Sequence, residues 1–414
     1  MQSIPDAIAR MLPCFSPRSA ERVVLHDALG RHLSQSLDAR ACLPAFSNSA
    51  MDGYAVRNAD LRGASESAPV RLPRRGESRA GGGLPEALEE GAVMRIFTGA
   101  PMPEGADAVV AQEDTTEADG VVELRVSPSP GRHVRARASD LALGAGLLPA
   151  GARIGSGEIA LLASQGMVEL SVHRRPVVAI LSTGDELRDP GEEDAPGTLV
   201  NSNAPMLAAA VREAGGVPRV LPRCADDADV IEATLRQALE ADVVLTTGGV
   251  SVGAYDFLHE VFDRVGVETH FWKIAVKPGK PVRFGMAGDV PVVGLPGNPV
   301  SAWVTFQVFV APGLARMAGS LAPHPGPLPV RLAHAFERHP GRTELARAHL
   351  VLGEAGYQAT LLSLQGSGSL PSLVNVDALV VLPAEVGSFA QGERLWALPV
   401  GNLPGRTVSH FTIG

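Results

Sequence analysis

Cysteine, aromatic residues and clustered positive charge are all scarce in this chain of 414 residues. The three cysteines lie far apart and form no C-x-x-C pair, which argues against a disulfide framework and against a cysteine-bound structural zinc. Lysine and arginine number 36 against 45 aspartates and glutamates, and no segment concentrates them. A nucleic-acid-binding surface is therefore not expected. The histidines lack H-E-x-x-H spacing, so a histidine-bound catalytic metal is not expected either.

We also expect no segment that directs the protein to a membrane or out of the cell. Its N-terminus has no basic region followed by an apolar core, which a secretory signal needs. The uncharged run at 290–315 is broken by proline, glycine and asparagine, which leaves roughly 12 helical residues against the ~20 of a bilayer span. We therefore expect a cytoplasmic protein that does not contact a membrane.

Glycine (45) and proline (33) are abundant, and they divide the chain into segments of different pattern. Residues 1–40 and 141–175 have a mainly helical pattern and predict one N-terminal linking domain, including a helix that Ser156 caps and that runs through Ser164. Residues 41–140 alternate short β-type runs with turns, which predicts a β-rich domain inserted into the first.

The second half of the chain predicts two further domains. Residues 176–322 alternate apolar, β-branched runs with helical patterns, as in a doubly wound α/β domain. A proline-rich linker follows, and residues 323–414 show only short β-type runs, which predicts a small β-barrel. The expected fold class is therefore multidomain α/β and β, with a helical N-terminal domain.

Four loops follow predicted strands of the α/β domain. They are STGDE (182–186), TTGGVSVGAYD (246–256), KPGKP (277–281) and LPGNPVS (295–301). Because ligands of open parallel sheets bind at the carboxyl ends of the strands, we expect these loops to share one edge. Glycine lets the backbone approach a phosphate, lysine attracts anions, and carboxylates bind Mg²⁺. The loops thus predict a site for a phosphate-bearing ligand with a divalent cation.

The segments outside the α/β domain are less specific. SAMDGYAV carries Asp52, a Gly/Pro turn carries Thr98, and a basic segment precedes Asp140. In the last domain Arg342 and Ser367, in glycine-containing turns, could bind a small oxyanion. Neither G-x-x-x-x-G-K-[ST] nor G-x-G-x-x-G occurs in the chain, which argues against P-loop NTPases and dinucleotide oxidoreductases.

Taken together, the motifs resemble those of the molybdopterin molybdotransferases, which insert molybdenum in the last step of basic molybdenum-cofactor synthesis. They are similar to those of the E domain of gephyrin as well. The resemblance covers nearly the whole chain, and the set is specific although single motifs are not. The motifs, in chain order, are SNSAMDGYAV, FTGAPMPEGADAVV, STGDEL, NSN, DVVLTTGGVSVGAYD, KPGKPVRFG, GLPGNPVSA, PGR and QGSGSLPSL.

The resemblance implies four subdomains and an elongated homodimer in which the inserted domain of one protomer closes the site of the other. It implies that adenylylated molybdopterin and molybdate are the substrates, that AMP and molybdenum cofactor are the products, and that Mg²⁺ is required. An upstream adenylyltransferase is a possible partner. The pattern leaves the choice between molybdate and tungstate open.

Motif matching assigns roles to individual positions. The implied catalytic residues are Asp52, Thr98, Asp140, Glu186, Asp226 and Asp256, of which Glu186, Asp226 and Asp256 are also the implied metal ligands. The implied substrate-binding residues are Gly248, Gly249, Ser251, Lys273, Lys277, Lys280, Pro296, Pro299, Ser301, Arg342 and Ser367. Among these, the expected molybdate pocket comprises Lys277, Lys280, Ser301, Arg342 and Ser367.

Some positions depart from the family pattern. Ala138 and Ser139 stand before Asp140 where the family usually has glycine and glutamate, and Ala254 stands where an acidic residue is common. The neighbouring Asp227 is the alternative to Asp226 as the functional aspartate.

Two other functions remain as alternatives. An adenylyltransferase of the preceding step shares the α/β domain, but that activity needs only this one domain. A dimeric scaffold without catalysis is the second alternative. Release of AMP that depends on molybdate distinguishes a molybdotransferase from a scaffold.

Overall fold

The computed structural model describes residues 1–248, 258–324, 326–401 and 403. The chain divides into two compact units. Unit 1 comprises Met1–Ser34, Gly151–Ser156 and Glu169–Gly414, and unit 2 comprises Gln35–Ala150 and Gly157–Val168. No helix in the described part of the chain is long and apolar enough to span a bilayer.

The α-helices are short, and α6 runs into α7 through a π-helical segment, Phe306–Val310. They are α1 (Ile4–Met11), α2 (Ser156–Ser164), α3 (Asn203–Glu213), α4 (Ala228–Ala238), α5 (Leu258–Arg264), α6 (Pro299–Thr305) and α7 (Ala311–Met317). Single 3₁₀ turns occupy Leu12–Cys14, Leu25–Ala28, Asn58–Leu61, Gln112–Asp114 and Leu370–Leu373.

The strands before the α/β region are β1 (Ala20–Val24), β2 (Leu37–Asp38), β3 (Asn48–Ser49), β4 (Gly53–Val56), β5 (Val70–Ser78), β6 (Val93–Ile96), β7 (Ala108–Ala111), β8 (Thr115–Ala118), β9 (Val121–Leu124), β10 (Val134–Arg135), β11 (Gly146–Leu148) and β12 (Glu169–His173). Those of the α/β region are β13 (Val177–Ser182), β14 (Leu187–Arg188), β15 (Leu199–Val200), β16 (Val217–Val220), β17 (Val243–Thr247), β18 (Glu268–Trp272), β19 (Val276–Lys277), β20 (Arg283–Ala287) and β21 (Val290–Leu295). The C-terminal strands are β22 (Leu328–Leu332), β23 (Phe336–Glu337), β24 (Thr343–Gly353), β25 (Gly356–Leu361), β26 (Ala378–Leu382), β27 (Ser388–Phe389) and β28 (Arg394–Pro399).

A six-stranded sheet with helices on both faces forms the centre of unit 1. Its order is β16-β13-β17-β21-β20-β18, in which the first four strands are parallel and β20 pairs antiparallel with both β21 and β18. Alternate residues of β13 enter different apolar clusters: Ile180 packs with Leu245 on one face, and Leu181 packs with Val244 on the other. Both faces are therefore covered, as the continuous apolar runs predict.

The C-terminal strands of unit 1 close into a small barrel. Strand β24 pairs with β25, and pairing continues through β22, β28 and β26 back to β24. Closure leaves no free edge among these strands, and inward residues such as Ala346 and Ala348 of β24 form one apolar cluster with Phe389 of β27. The predicted fold class, with its α/β sheet, β-rich insertion and small C-terminal barrel, is confirmed.

Two expectations about local structure were wrong. The sequence predicts a mainly helical pattern over residues 1–40, but Ala20–Val24 is a strand that pairs antiparallel with Glu169–His173. Its partner lies about 150 residues away in the chain, so a local pattern does not reveal the pairing. The KPGKP loop is predicted to follow a strand of the α/β sheet. It follows β19 instead, which pairs with β24 of the barrel and is outside the six-stranded sheet. The four domain boundaries stay a prediction.

Unit 2 is built on a sheet of order β7-β4-β6-β5-β9-β8. Strand β4 contains the glycine of the SAMDGYAV motif and is buried throughout, between β6 and β7. A Cβ atom at Gly53 would overlap the carbonyl oxygen of Val110 on β7. Glycine at this position therefore serves the close approach of two strands.

Substitution at Gly53 tests this requirement. We expect Gly53→Ala to lower the free energy of unfolding by about 1–3 kcal/mol, because the strands must separate to admit the methyl group. Gly146→Ala in the same unit is the matched control, since a Cβ there meets no atom within 4 Å. Urea unfolding followed by circular dichroism measures both, and equal midpoints for the two variants would contradict the packing argument.

Candidate functional site

Three loops meet at the carboxyl ends of β13, β17 and β21. Gly248, directly after β17, has a φ of +92°, and a Cβ there would lie 2.6 Å from the Thr183 carbonyl oxygen. A Cβ on Gly297, after β21, would lie 3.6 Å from the Cα of Gly248. The loops at 182–186 and 295–301 thus share one edge with Gly248, as the parallel sheet predicts.

Asn203 connects two of these strand ends. Its Nδ2 donates to Thr247 Oγ1 at 2.8 Å and to the Gly297 carbonyl oxygen at 2.7 Å. Its Oδ1, like the hydroxyls of Thr183 and Thr246, is buried with no hydrogen-bond partner within the described part of the chain. Buried polar atoms without a partner are costly, so their presence beside the strand ends marks a place where a ligand can bind. The sequence pattern distinguishes Asn203 only as part of the NSN motif.

The two prolines of the LPGNPVS loop are also placed at this edge. The buried Pro296 accepts a hydrogen bond through its carbonyl oxygen from Thr247 Oγ1 at 3.4 Å. Pro299 is the first residue of α6 and so requires no backbone donor at that position. Both residues set the path of the loop into α6.

Carboxylates of two loops lie together at the same edge. Asp185 and Glu186 follow β13, and the Asp226 backbone N–H donates to Asp185 Oδ1 at 3.1 Å. Burial raises the pKa of Asp226, and the negative charges of Asp185 and Glu186 add to the rise, against a hydrogen bond from the Asp185 backbone that lowers it. Like charges held this close attract a cation, and oxygen donors of this kind suit Mg²⁺.

The neighbouring aspartate has a different role. Asp227 is the N-cap of α4, where its Oδ1 accepts from the backbone N–H groups of Asp229 (2.9 Å) and Val230 (3.0 Å). A side chain occupied in capping is not free to bind a ligand. This arrangement favours Asp226 over Asp227 as the functional aspartate.

The predicted metal ligands are only partly described. Within residues 1–248, 258–324 and 326–401, no three His, Cys, Asp or Glu side chains are arranged to hold a metal ion. Asp256 lies outside the described residues, as do Gly249 and Ser251. The ligand set of Glu186, Asp226 and Asp256 therefore stays a prediction.

A basic cluster lies where β19 meets the barrel. Lys277 Nζ is 3.2 Å from the carboxylate of Glu344, which is almost fully buried and also lies 3.4 Å from Arg338 Nη1. Arg342, at the start of the paired strand, donates through Nη1 to the Val276 carbonyl oxygen at 2.9 Å. The pairing of β19 with β24 thus brings Lys277 and Arg342 together although they are far apart in the chain.

Ser367 joins the barrel to α6. Its Oγ accepts from Asn298 Nδ2 at 3.0 Å, and its carbonyl oxygen accepts from the Val300 backbone N–H at 3.1 Å. The QGSGSLPSL segment thus lies against the first turn of α6, beside the strand-end edge.

The KPGKP loop reaches the same helix from another side. A Cβ at Gly279 would overlap the Thr305 side chain and lie 3.7 Å from the Ser301 carbonyl oxygen. Lys280 is exposed at this loop, and Ser301 is buried in α6. Segments carrying all five predicted molybdate-pocket residues therefore converge on α6 and the start of β24.

Lys273 precedes this loop. It adopts a φ of +73°, and its ammonium group lies 4.0 Å from the ring centre of Trp272. Attraction between the ammonium charge and the face of the indole ring holds the side chain there. The strained backbone and the ring contact together fix the position of the Lys273 ammonium group.

Two of the three candidate residues of unit 2, Asp52 and Thr98, are in contact, and no contact joins Asp140 to them among the described residues. Asp52 Oδ1 accepts from both the backbone N–H of Thr98 (2.7 Å) and its hydroxyl (2.8 Å). These two bonds lower the pKa of Asp52, the backbone bond most, so its carboxylate is charged at neutral pH. Asp140 is exposed and accepts from Ser139 Oγ at 3.0 Å. The structure thus brings Asp52 and Thr98 into contact. Their positions in the sequence do not by themselves predict this contact.

Comparisons with known proteins identify the family. Residues 2–166 match the MoeA N-terminal region (domain I and II), residues 179–316 match a probable molybdopterin binding domain, and residues 329–400 match the MoeA C-terminal region (domain IV). The chain belongs to the MoeA family.

Individual relatives agree with this assignment. The chain is 38% identical to a molybdopterin molybdenumtransferase of Nostoc sp. over 92% of this chain and 89% of that protein. It is 34% identical to the Bacillus subtilis molybdopterin molybdenumtransferase over 95% and 93%. The crystal structure of a molybdopterin biosynthesis MoeA protein from Pyrococcus horikoshii OT3 covers 97% of this chain with a TM-score of 0.84, at 28% identity over 100% of that chain.

The three matched regions of the MoeA family divide the candidate residues among them. The N-terminal match contains Asp52, Thr98 and Asp140, and the molybdopterin-binding match contains the strand-end edge with its carboxylates. The C-terminal match contains Arg342 and Ser367. The predicted resemblance to molybdopterin molybdotransferases is confirmed.

Proposed function

We propose that this protein inserts molybdenum into molybdopterin, using molybdate and an adenylylated pterin as substrates and releasing AMP in a Mg²⁺-dependent step. The observation that carries the proposal is the position of a carboxylate cluster (Asp185, Glu186, Asp226) at the strand ends, in the same α/β domain that carries the KPGKP loop and α6. A nucleotide phosphate with its metal suits the carboxylates, and an inorganic oxyanion suits the basic segments.

The strand-end edge would hold the pyrophosphate of the pterin nucleotide. Gly297 would leave the backbone open to a phosphate, since a Cβ there would contact only the backbone of Gly248. Gly248 lies against Thr183, and Gly184 lies against the carboxylate of Glu186. Glu186 and Asp226, together with Asp256, would hold Mg²⁺. When bound, Mg²⁺ polarises a phosphoryl oxygen and makes the phosphorus easier to attack.

The segments that converge on α6 and the start of β24 carry more positive than negative charge, and we propose that they form the molybdate pocket. Glu344 is the buried acid there, and it already pairs with both Lys277 and Arg338. Arg342 and Lys280 add two further cations from the adjoining segments. Molybdate is a compact dianion that such a pocket would neutralise.

Holding the reacting groups in the correct geometry would supply most of the rate acceleration. The protein would hold a molybdate oxygen, or a water, in line with a phosphorus of the pyrophosphate, so that a new P–O bond forms as the bridging P–O bond breaks and AMP leaves. No covalent intermediate with the protein is invoked. The test of the function is AMP release from adenylylated molybdopterin by the purified protein: release that depends on molybdate supports the proposal, and release without molybdate contradicts it.

We also propose how the protein assembles and where its substrate comes from. The protein would act as a cytoplasmic homodimer in which residues of unit 2 from one protomer complete the site of the other, and it would receive its nucleotide substrate from an upstream adenylyltransferase. A C₂ dimer built in this way has two equivalent composite sites.

Arg342 provides a test of the oxyanion pocket. We expect Arg342→Ala to raise the molybdate concentration for half-maximal rate about ten- to a hundredfold, the effect of one lost charge-assisted hydrogen bond. The affinity for the pterin nucleotide should change little. Arg331→Ala is the matched control, because Arg331 also lies on the barrel and donates to a backbone carbonyl, that of Gly392 at 3.1 Å. An unchanged molybdate requirement in Arg342→Ala would contradict this role.

A further inference from the structure

A fully buried arginine lies beneath the loop that carries Ser367. Arg347, on β24, has no exposed surface, and its Nη2 donates to the carbonyl oxygens of Leu364 (2.8 Å) and Gly366 (3.4 Å). Its Nε and Nη1 are buried without a hydrogen-bond partner within the described part of the chain. A buried, incompletely paired guanidinium is costly for stability, so stability alone does not account for its presence.

The same residue of β24 is tied to this loop through its backbone. Gln365 Oε1 accepts from the Arg347 N–H at 3.1 Å, and Gln365 Nε2 donates to the Arg347 carbonyl oxygen at 2.9 Å. The Leu362 N–H donates to that carbonyl oxygen as well, at 2.9 Å. One strand residue therefore anchors residues 362–366 by its side chain and by both of its backbone groups.

The anchored loop determines where the next residue lies. Ser367 directly follows Gly366, and its two hydrogen bonds reach Asn298 and Val300 at the start of α6. A shift of the Gly366 carbonyl would move Ser367 away from α6. The geometry of the pocket at Ser367 thus depends on the guanidinium beneath it.

Charge adds to this geometric effect. Glu344 is the acid that acts electrostatically on Arg347, and it is already paired with two other cations. Lys277, Arg338 and Arg347 thus place three positive charges around one carboxylate, which leaves a net positive charge there. An uncompensated cation beneath a pocket favours anions in that pocket.

We propose that Arg347 is a positioning residue for an oxyanion pocket, holding residues 362–367 against α6 and supplying positive charge from below. This inference rests on the proposed function, which places molybdate between α6 and β24. It adds that the affinity for the oxyanion depends on a side chain that cannot itself reach the solvent.

Direct titration of the full-length protein with sodium molybdate, followed by calorimetry, tests the proposal without turnover. We expect Arg347→Met to weaken molybdate binding about tenfold or more, as expected for lost charge-assisted bonds. Arg347→Lys keeps the charge without the planar fork that spans two carbonyls, so it should recover only part of the affinity. Gln365→Met keeps the guanidinium but removes the second anchor, and it should also weaken binding.

Controls separate positioning from general destabilisation. Arg283→Met removes another buried arginine, one bonded to Thr269 within the α/β sheet, and should lower the thermal unfolding temperature without changing molybdate affinity. Wild-type molybdate affinity in a folded Arg347→Met variant would overturn the inference. If that variant does not fold, wild-type affinity in both Arg347→Lys and Gln365→Met would overturn it equally.

Arg342→Ala distinguishes this inference from the proposed function. If Arg342→Ala weakens molybdate binding and the Arg347 and Gln365 variants do not, the proposed molybdate pocket is supported and the positioning role of Arg347 is contradicted. If molybdate binds to Arg342→Ala as it does to wild type, the pocket itself is wrong, and the inference is wrong with it.

Discussion

Asp226→Asn is expected to lose at least about a hundredfold in turnover, the order of effect of weakening metal-assisted charge stabilisation. The same substitution should raise the free energy of unfolding at neutral pH. The two opposite effects have one cause: Asp226 is held beside Asp185 and Glu186 and is partly buried. Carboxylates held near one another repel when no cation lies between them.

The pH dependence gives the sign of the stability effect. The pKa of Asp226 is higher in the folded protein than its ordinary value of 3.8, burial being the largest cause. Between the unfolded and the folded pKa the native state binds more protons, so stability falls as pH rises through this window. Above the folded pKa, the charged Asp226 lowers the free energy of unfolding by its full amount. Asn carries no charge, so the variant should lack this loss and unfold at a higher urea concentration at pH 7.

Asp227→Asn is the matched control for this experiment. Asparagine is as good an N-cap as aspartate, so the bonds to Asp229 and Val230 should survive and stability should change little. Turnover should also remain near that of wild type. A loss of activity in Asp227→Asn with wild-type turnover in Asp226→Asn at limiting Mg²⁺ would reverse the assignment of the two residues.

Local pattern and the rules of parallel sheets account for much of the site. The apolar runs of β13 and β17 identify buried strands, and the carboxyl ends of such strands meet at one edge. That reasoning is enough to place Glu186, Gly248 and Pro296 near one another. The capping role of Asp227 is also foreseeable, because an aspartate directly before a helical pattern is a preferred N-cap.

Pairings between distant segments could not be predicted in the same way. The KPGKP loop follows a strand of two residues, β19, whose partner β24 belongs to another predicted domain. Nothing in the local pattern indicates this pairing, yet it brings Lys277 to Arg342. Arg347 was missed for a related reason: an arginine in a β-type run is expected to face solvent, and its burial depends on a loop nearly twenty residues further along the chain.

The proposed sharing of sites between protomers predicts that two inactive variants restore activity when mixed. We choose Asp52→Asn in unit 2 and Asp226→Asn in unit 1, because asparagine keeps the shape of each side chain and the acceptor oxygen that the Thr98 N–H requires at position 52. In a mixed dimer with shared sites, one site carries both lesions and the other carries none. Random exchange makes about half of the dimers mixed, so roughly a quarter of wild-type activity should return.

A second mixture, of the double variant with wild type, tests the same model, because shared sites should here lower the activity below that of unshared sites. When the double variant Asp52→Asn/Asp226→Asn is mixed with wild type, every site of a mixed dimer with shared sites carries one lesion. Only the wild-type dimers then remain active, about a quarter of the total, whereas sites built within one chain would leave about half of the activity. Gel filtration must first show that all variants dimerise and exchange subunits. If the single variants stay inactive on mixing and the second mixture keeps half of the activity, each site is built within one protomer.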